Sequence, residues 1–263
     1  MYEKIKQRKI GIAEIMVLAI IMFRENIKSY WKMAMIIGIP VGAVITFVSN
    51  SGMTAGGLIS YISAVASGSI EVTDADFTNF TKYYAIFIFI QAATMPLITM
   101  AGAYFARAKA YEQECSVKDA VLASLGKGSV IIFAAIIKEI LVMSTSILII
   151  PCIMFMVYYY FFAYTAVLED TGIFGCLKAS AKVVKGRFFD IMLAILFMFF
   201  MEQSISYMIQ IIFSFVPFNA GVELIQRFFI TFFEFIFING STLLYLNRKH
   251  MSEGFVETTI YEE

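Results

Sequence analysis

Long runs of apolar residues, separated by shorter polar and basic stretches, dominate the chain. Six of these runs reach the length of about 17–25 residues that an α-helix needs to cross a bilayer core. The pattern therefore predicts an all-α fold, a polytopic transmembrane helix bundle of six spans. The predicted spans are residues 31–48, 83–105, 129–149, a return after a turn near Pro151 to Leu168, 188–215 and 223–246.

A shorter apolar run at residues 10–23 cannot cross a core of roughly 30 Å. It predicts an amphipathic helix that lies in the membrane interface, or a re-entrant one. Charged amphipathic connectors also precede the later hairpins, at residues 107–127 and 171–187. The chain thus resembles one unit used three times, a short interfacial helix before each hairpin. We predict a single transmembrane domain over residues 1–250, with a possible three-fold repeat at 10–105, 115–168 and 171–247, and a polar cytoplasmic tail at 251–263.

Basic residues are concentrated on one side of the predicted spans. The short loops on the opposite side, around Pro151 and Pro217, contain none. Because cytoplasmic loops carry the excess of Lys and Arg, this asymmetry predicts a multi-pass protein of the plasma or inner membrane with both termini in the cytoplasm. The residues that set this orientation are Lys4, Lys6, Arg8, Lys9, Arg107, Lys109, Lys118, Lys127, Lys178, Lys182, Lys185, Arg187, Arg248 and Lys249.

The composition argues against several classes of function. Of 263 residues 60% are hydrophobic and 15% charged, against about 25% charged in soluble domains. The net charge is zero, which argues against nucleic acid as a partner. Three scattered cysteines and a single histidine favour no disulfide framework, metal site or catalytic triad. We therefore expect a non-enzymatic protein without metal or cofactor.

One connector carries a regular basic face. Lys178, Lys182 and Lys185 are spaced i, i+4 and i+7, and Arg187 follows them. Such a face can meet anionic lipid headgroups on the cytoplasmic side, at about 1 kcal/mol per basic residue. A surface-lying linker with basic anchors explains the same pattern, and we favour it over a specific headgroup site.

The same region resembles a known family. The segments LEDTG at 168–172, LKAS at 177–180 and VKGRFF at 184–189 are similar to a signature of the membrane domain that precedes the catalytic domain of some glycerophosphodiester phosphodiesterases. Related stand-alone bacterial membrane proteins of the YciC type share it. The resemblance covers roughly residues 100–210. It implies a membrane fold and a stand-alone role, but no phosphodiesterase activity, because that chemistry resides in a separate soluble barrel.

Several polar residues lie deep in the predicted spans, where charges are costly and normally face the bundle interior. They form our candidate intramembrane polar site. On span five, Gln203, Tyr207, Gln210 and Ser214 make one stripe; on span six, Arg227, Thr231, Glu234, Ser241 and Tyr245 make another. We expect these stripes to face each other or a common cavity. The candidate site comprises Gln91, Lys138, Glu139, Glu202, Gln203 and Glu234.

Three functions remain open. The leading hypothesis is a non-enzymatic membrane module: a scaffold, a lipid-interacting protein, or a subunit that binds a protein partner or a second copy of itself. The alternative is a small transporter or permease that uses the polar site around Glu202 and Glu234. An intramembrane enzyme with carboxylates as acid or base is third. A wet cavity that touches both carboxylates favours transport, whereas a dry, packed interior around them favours the scaffold.

Overall fold

A computed structural model describes the backbone of residues 8–51, 67, 74–217 and 219–260, and the side chains of 8–48, 67, 86–217 and 219–251. This part of the chain is helical and contains no strand. The helices are α1 Ile12–Glu25, α2 Ile27–Met33, α3 Ile39–Ser51, α4 Asp74–Ala110, α5 Val117–Gly126, α6 Gly128–Ser144, α7 Ile149–Tyr158, α8 Phe162–Leu168, α9 Ile173–Val184, α10 Phe188–Ser214 and α11 Ala220–Ile260, with a π-helical turn Ala34–Gly38 between α2 and α3.

The helices confirm the predicted all-α polytopic bundle. Five stretches in the described part of the chain are long and apolar enough to cross a membrane, and α5 with α6 makes a sixth if this pair, bent by 59°, counts as one span. The five stretches are Ile27–Val48, Ile86–Ala110, Ile149–Leu168, Phe188–Ser214 and Ala220–Met251.

Several helix boundaries differ from the predicted ones. The fourth span consists of two helices, because the chain leaves helical geometry between Tyr158 and Phe162. The turn before this span lies at residues 145–148, so Pro151 occupies the first turn of α7, where its missing N–H costs no hydrogen bond. At the other end of the chain, α11 continues as far as Ile260 into the predicted polar tail.

Helix α11 is the core of the bundle. It packs against α1, α3, α4 and α10. Phe235, Asn239 and Tyr245 are completely buried on it. The backbone of α4 approaches α11 closely at Gly102, where an added Cβ would lie 2.7 Å from Ile238. Only a residue without a side chain allows two helices to pack at this distance.

The first helix follows α11 rather than crossing its end. The Ile10 amide donates to Asn247 Oδ1 at 3.2 Å. Further along α1, Met16 lies beside Gly240, and the Phe23 ring packs on Phe232 at 5.1 Å. The two helices therefore run antiparallel over most of the length of α1, which buries one apolar face of this short helix against the core.

The element order recurs three times. A short helix precedes two long helical stretches at α1 to α4, at α5 to α8 and at α9 to α11. Residues 52–66 and 68–73 of the first predicted unit lie outside the described residues. The three-fold repeat stays an interpretation of this order, since similar connections between spans produce it without a common origin.

The polar connectors meet at one end of the bundle, which we call the charged end. Asp190 pairs there with Lys9 at 3.0 Å and with Arg248 at 2.8 Å. Glu169 pairs with Lys249 at 2.8 Å, and Lys127 pairs with Asp170. These ion pairs join the segment before α1, the turn between α5 and α6, the connector after α8 and the start of α10 to residues 248–249 of α11.

Candidate functional site

A cavity of about 730 Å³ lies between α4, α6, α7, α8, α10 and α11. Its wall is mostly aliphatic and aromatic, with a few polar side chains that converge on the interior. Pockets for small molecules usually have this size and this division between apolar walls and a few polar groups. The polar groups are Thr99, Lys138, Tyr160, Tyr164, Glu202, Glu234 and Ser241.

Two carboxylates define the site. Glu202 lies on α10 and Glu234 on the hairpin-connected α11, and both side chains are partly buried. Among the described residues neither carboxylate has a hydrogen bond or an ion pair. A partly buried carboxylate without a partner is costly, particularly within a membrane. The two groups are therefore available for a ligand or a proton inside the cavity.

The lysine in the cavity wall already has an ion-pair partner. Lys138 on α6 lines the cavity, but its Nζ lies 3.0 Å from Glu139 Oε1. The same ammonium lies 5.5 Å from the centre of the Phe162 ring, a cation–π distance. The carboxylate of Glu139 therefore neutralises Lys138, and no cationic side chain in the cavity wall remains to pair with Glu202 or Glu234.

A hydrogen-bonded chain fixes another part of the wall. The Ser241 hydroxyl donates to Met198 Sδ at 3.7 Å. Tyr160 Oη and Ser241 Oγ are 2.8 Å apart, and either hydroxyl can donate this hydrogen bond. The Tyr160 hydroxyl is thus hydrogen-bonded to Ser241 and not to either carboxylate.

The polar stripe predicted on span five faces away from the cavity around Glu202 and Glu234. Gln203 is exposed, as are Gln210 and Ser214, and Tyr207 is 64% exposed. The expectation that this stripe shares one cavity with the polar stripe of α11 is therefore wrong. Tyr207, Gln210 and Ser214 line a separate depression of about 710 Å³, together with Val222 and Gln226 of α11. Consecutive residues of an α-helix differ by about 100° in direction, so Glu202 can line the cavity while the adjacent Gln203 points away from it.

The other predicted residues lie nearer the core. On span six, Thr231, Ser241 and Tyr245 are buried, and Arg227 pairs with Glu223 at 2.7 Å. Gln91 is partly buried on α4, one turn before Met95 and Pro96, which line the cavity.

The predicted lipid-headgroup face divides into two parts. Lys178, Lys182 and Lys185 are exposed on α9 and its C-terminal end, with no ion pair to a described residue. Arg187 behaves differently, because its guanidinium donates to the Arg248 carbonyl at 2.8 Å. Arg187 therefore belongs to the charged end of the bundle rather than to a free basic face.

No cluster of three or more His, Cys, Asp or Glu residues that could hold a metal ion occurs in the described part of the chain. Sequence reasoning missed Thr99, Pro96 and Tyr160 as wall residues. Tyr160 belongs to an aromatic run at 158–162, whose composition indicates packing and does not reveal which ring faces a cavity.

Comparison with known proteins identifies no relative: no family model, no curated protein and no solved structure matches the chain. The resemblance to the phosphodiesterase membrane domain stays an interpretation of the sequence.

Proposed function

We propose that this protein is a small transporter or permease whose substrate site is the cavity around Glu202 and Glu234. The observation that carries the proposal is the pair of carboxylates, without partners among the described residues, in the wall of a 730 Å³ cavity. A scaffold gains nothing from such a cavity, because voids and unpaired polar groups weaken a helix bundle. A binding site, in contrast, requires both features.

Filling the cavity tests this function. Leu196→Trp on α10 adds bulk to the cavity wall and should abolish the binding of any small molecule that copurifies with the wild type. Leu193→Trp is the matched control, since Leu193 lies on the same helix, is 60% exposed and does not line the cavity. Native mass spectrometry of both variants provides the measurement. A ligand retained in full by Leu196→Trp contradicts the assignment of the site.

We further propose that the charged end faces the cytoplasm of a plasma or inner membrane. The basic residues at this end support the orientation through the positive-inside rule. In a background without the native cysteines, an impermeant thiol reagent added outside intact cells should label Ser146→Cys, in the exposed turn after α6, and should not label Lys182→Cys. The reverse labelling pattern would invert the proposed topology.

A second candidate function, an interaction with anionic lipid, is favoured by the exposed lysines of α9. Changing Lys178, Lys182 and Lys185 together to Gln should reduce the number of anionic lipids that remain bound after purification. The triple variant of Lys9, Lys127 and Lys249 removes the same charge from lysines that are ion-paired, and it should retain more lipid. Equal lipid loss in both variants would show that total charge, rather than the α9 face, controls binding.

A further inference from the structure

We infer that the cavity exchanges a proton for a monovalent organic cation with apolar substituents, a proposal that rests on the transport function above. The inference depends on three features of the site: the chemistry of its wall, the neutralised lysine and the presence of two carboxylates in one cavity.

The apolar side chains of the cavity wall favour an organic ligand over a metal ion. Phe162, Phe199 and Phe237 contribute rings, and Ile153, Met156 and Ile195 contribute aliphatic surface. A bare metal ion needs about six oxygen ligands close together, which this wall does not offer. Aromatic faces do bind the substituents of organic cations, because the ring quadrupole attracts positive charge. The cavity therefore suits a cation whose charge is surrounded by carbon.

The charge of the site selects a cation over an anion. Lys138 is the basic residue among those that line the cavity, and its ammonium lies 3.0 Å from the Glu139 carboxylate. An anion would have to displace Glu139 and would also meet Glu202 and Glu234. An organic cation meets these two carboxylates directly, and the described protein residues provide no competing partner for them.

The second carboxylate accounts for the proton. Two ionised carboxylates in the wall of one mostly apolar cavity repel each other, so the empty site retains a proton on one of them. The groups that face them are Lys138 from α6, Tyr160 and Tyr164 beside and on α8, and each other from α10 and α11; the wall residues of α4 and α7 do not titrate. When a monovalent cation enters, it stabilises both ionised carboxylates and the proton leaves. The total charge of the site is unchanged by this exchange.

Tetraphenylphosphonium is a suitable probe, since tetraphenylborate has the same shape and the opposite charge. A calorimetric titration of the full chain in lipid nanodiscs measures the affinity for each probe. Repeating the titration in buffers of different ionisation enthalpy gives the number of protons released. The expected result is saturable phosphonium binding with release of about one proton, and no borate binding beyond that of empty nanodiscs.

Glutamine variants of the two carboxylates test cation binding and proton release separately. Glu202→Gln or Glu234→Gln alone should retain phosphonium binding but release almost no proton, because one carboxylate remains to pair with the cation. The double variant should lose affinity by at least about 30-fold, as for removal of the partner of a buried charge. Glu223→Gln is the matched control, a carboxylate of α11 outside the cavity, and it should change neither quantity.

The other outcomes are distinguishable. Phosphonium binding without proton release in the wild type overturns the exchange, and undiminished binding in the double variant overturns the carboxylate site. If neither probe binds but a copurified molecule is lost in Leu196→Trp, the cation assignment fails while the transport site stands. If no probe binds and no such molecule is found, the inference and the proposed function fail together.

Discussion

Replacing Asp190 with alanine is expected to destabilise the bundle by about 3–5 kcal/mol, the usual cost of removing one partner of a buried ion pair. The Arg248 side chain is only 3% exposed, and its Nε lies 2.8 Å from Asp190 Oδ2. Without this carboxylate a buried guanidinium loses its counter-charge. The free energy of unfolding, measured by SDS titration in mixed micelles with circular dichroism, tests the expectation.

Lys9 provides the matched control, because it pairs with the same carboxylate from outside. Its side chain is 61% exposed, and Lys9→Ala should therefore cost less than about 1 kcal/mol. If the two variants lower the free energy of unfolding equally, the stabilising interaction at the charged end is not the buried pair between Asp190 and Arg248.

The second large effect is expected at Gly102, where α4 packs closely against α11. An added Cβ would lie 2.7 Å from Ile238 and 2.9 Å from Phe235, and both of these side chains are buried. Gly102→Ala must therefore move the two helices apart or force side chains off their rotamers, at a cost of about 1–3 kcal/mol. This cost exceeds the gain in helix propensity, at most about 1 kcal/mol.

Gly128→Ala is the control for the Gly102 variant. The nearest atom to an added Cβ there belongs to Leu97, at an ordinary contact distance of 3.8 Å. We expect a change below about 0.5 kcal/mol in the free energy of unfolding. Thermal unfolding of the two variants, compared in one detergent, would contradict the close-approach argument if both lost the same stability.

The spans were predictable because the bilayer core alone sets the length and the hydrophobicity of a helix that crosses it. The breaks within them were not. Nothing in the apolar sequence around residues 159–161 marks the end of α7, where tertiary contacts hold the backbone: the Phe161 amide donates to Ser180 Oγ on α9 at 3.1 Å. Such a long-range partner is invisible in a local pattern. The π-helical turn Ala34–Gly38 was likewise not predicted.

The site was predictable in part, for a related reason. The cost of burying charge identifies Glu202 and Glu234 as residues that avoid lipid. Helical periodicity states which residues share a face, but not the direction in which that face points. The stripe that begins at Gln203 therefore suggested an interior surface, whereas α10 exposes it. Glu202 is not a member of this polar stripe. Only the free-energy cost of exposing its carboxylate to lipid indicated that it faces the interior.

The central position of α11 has a consequence for synthesis. Tyr30 donates to Asn239 Oδ1 at 2.8 Å across a separation of 209 residues, and the phenol is completely buried. At about 5–20 residues per second, a ribosome needs roughly 10–40 s to traverse this distance. During that interval the earlier helices have already been made, while the helix that joins them is still absent. The assembly of the bundle is therefore completed only when α11 enters the membrane.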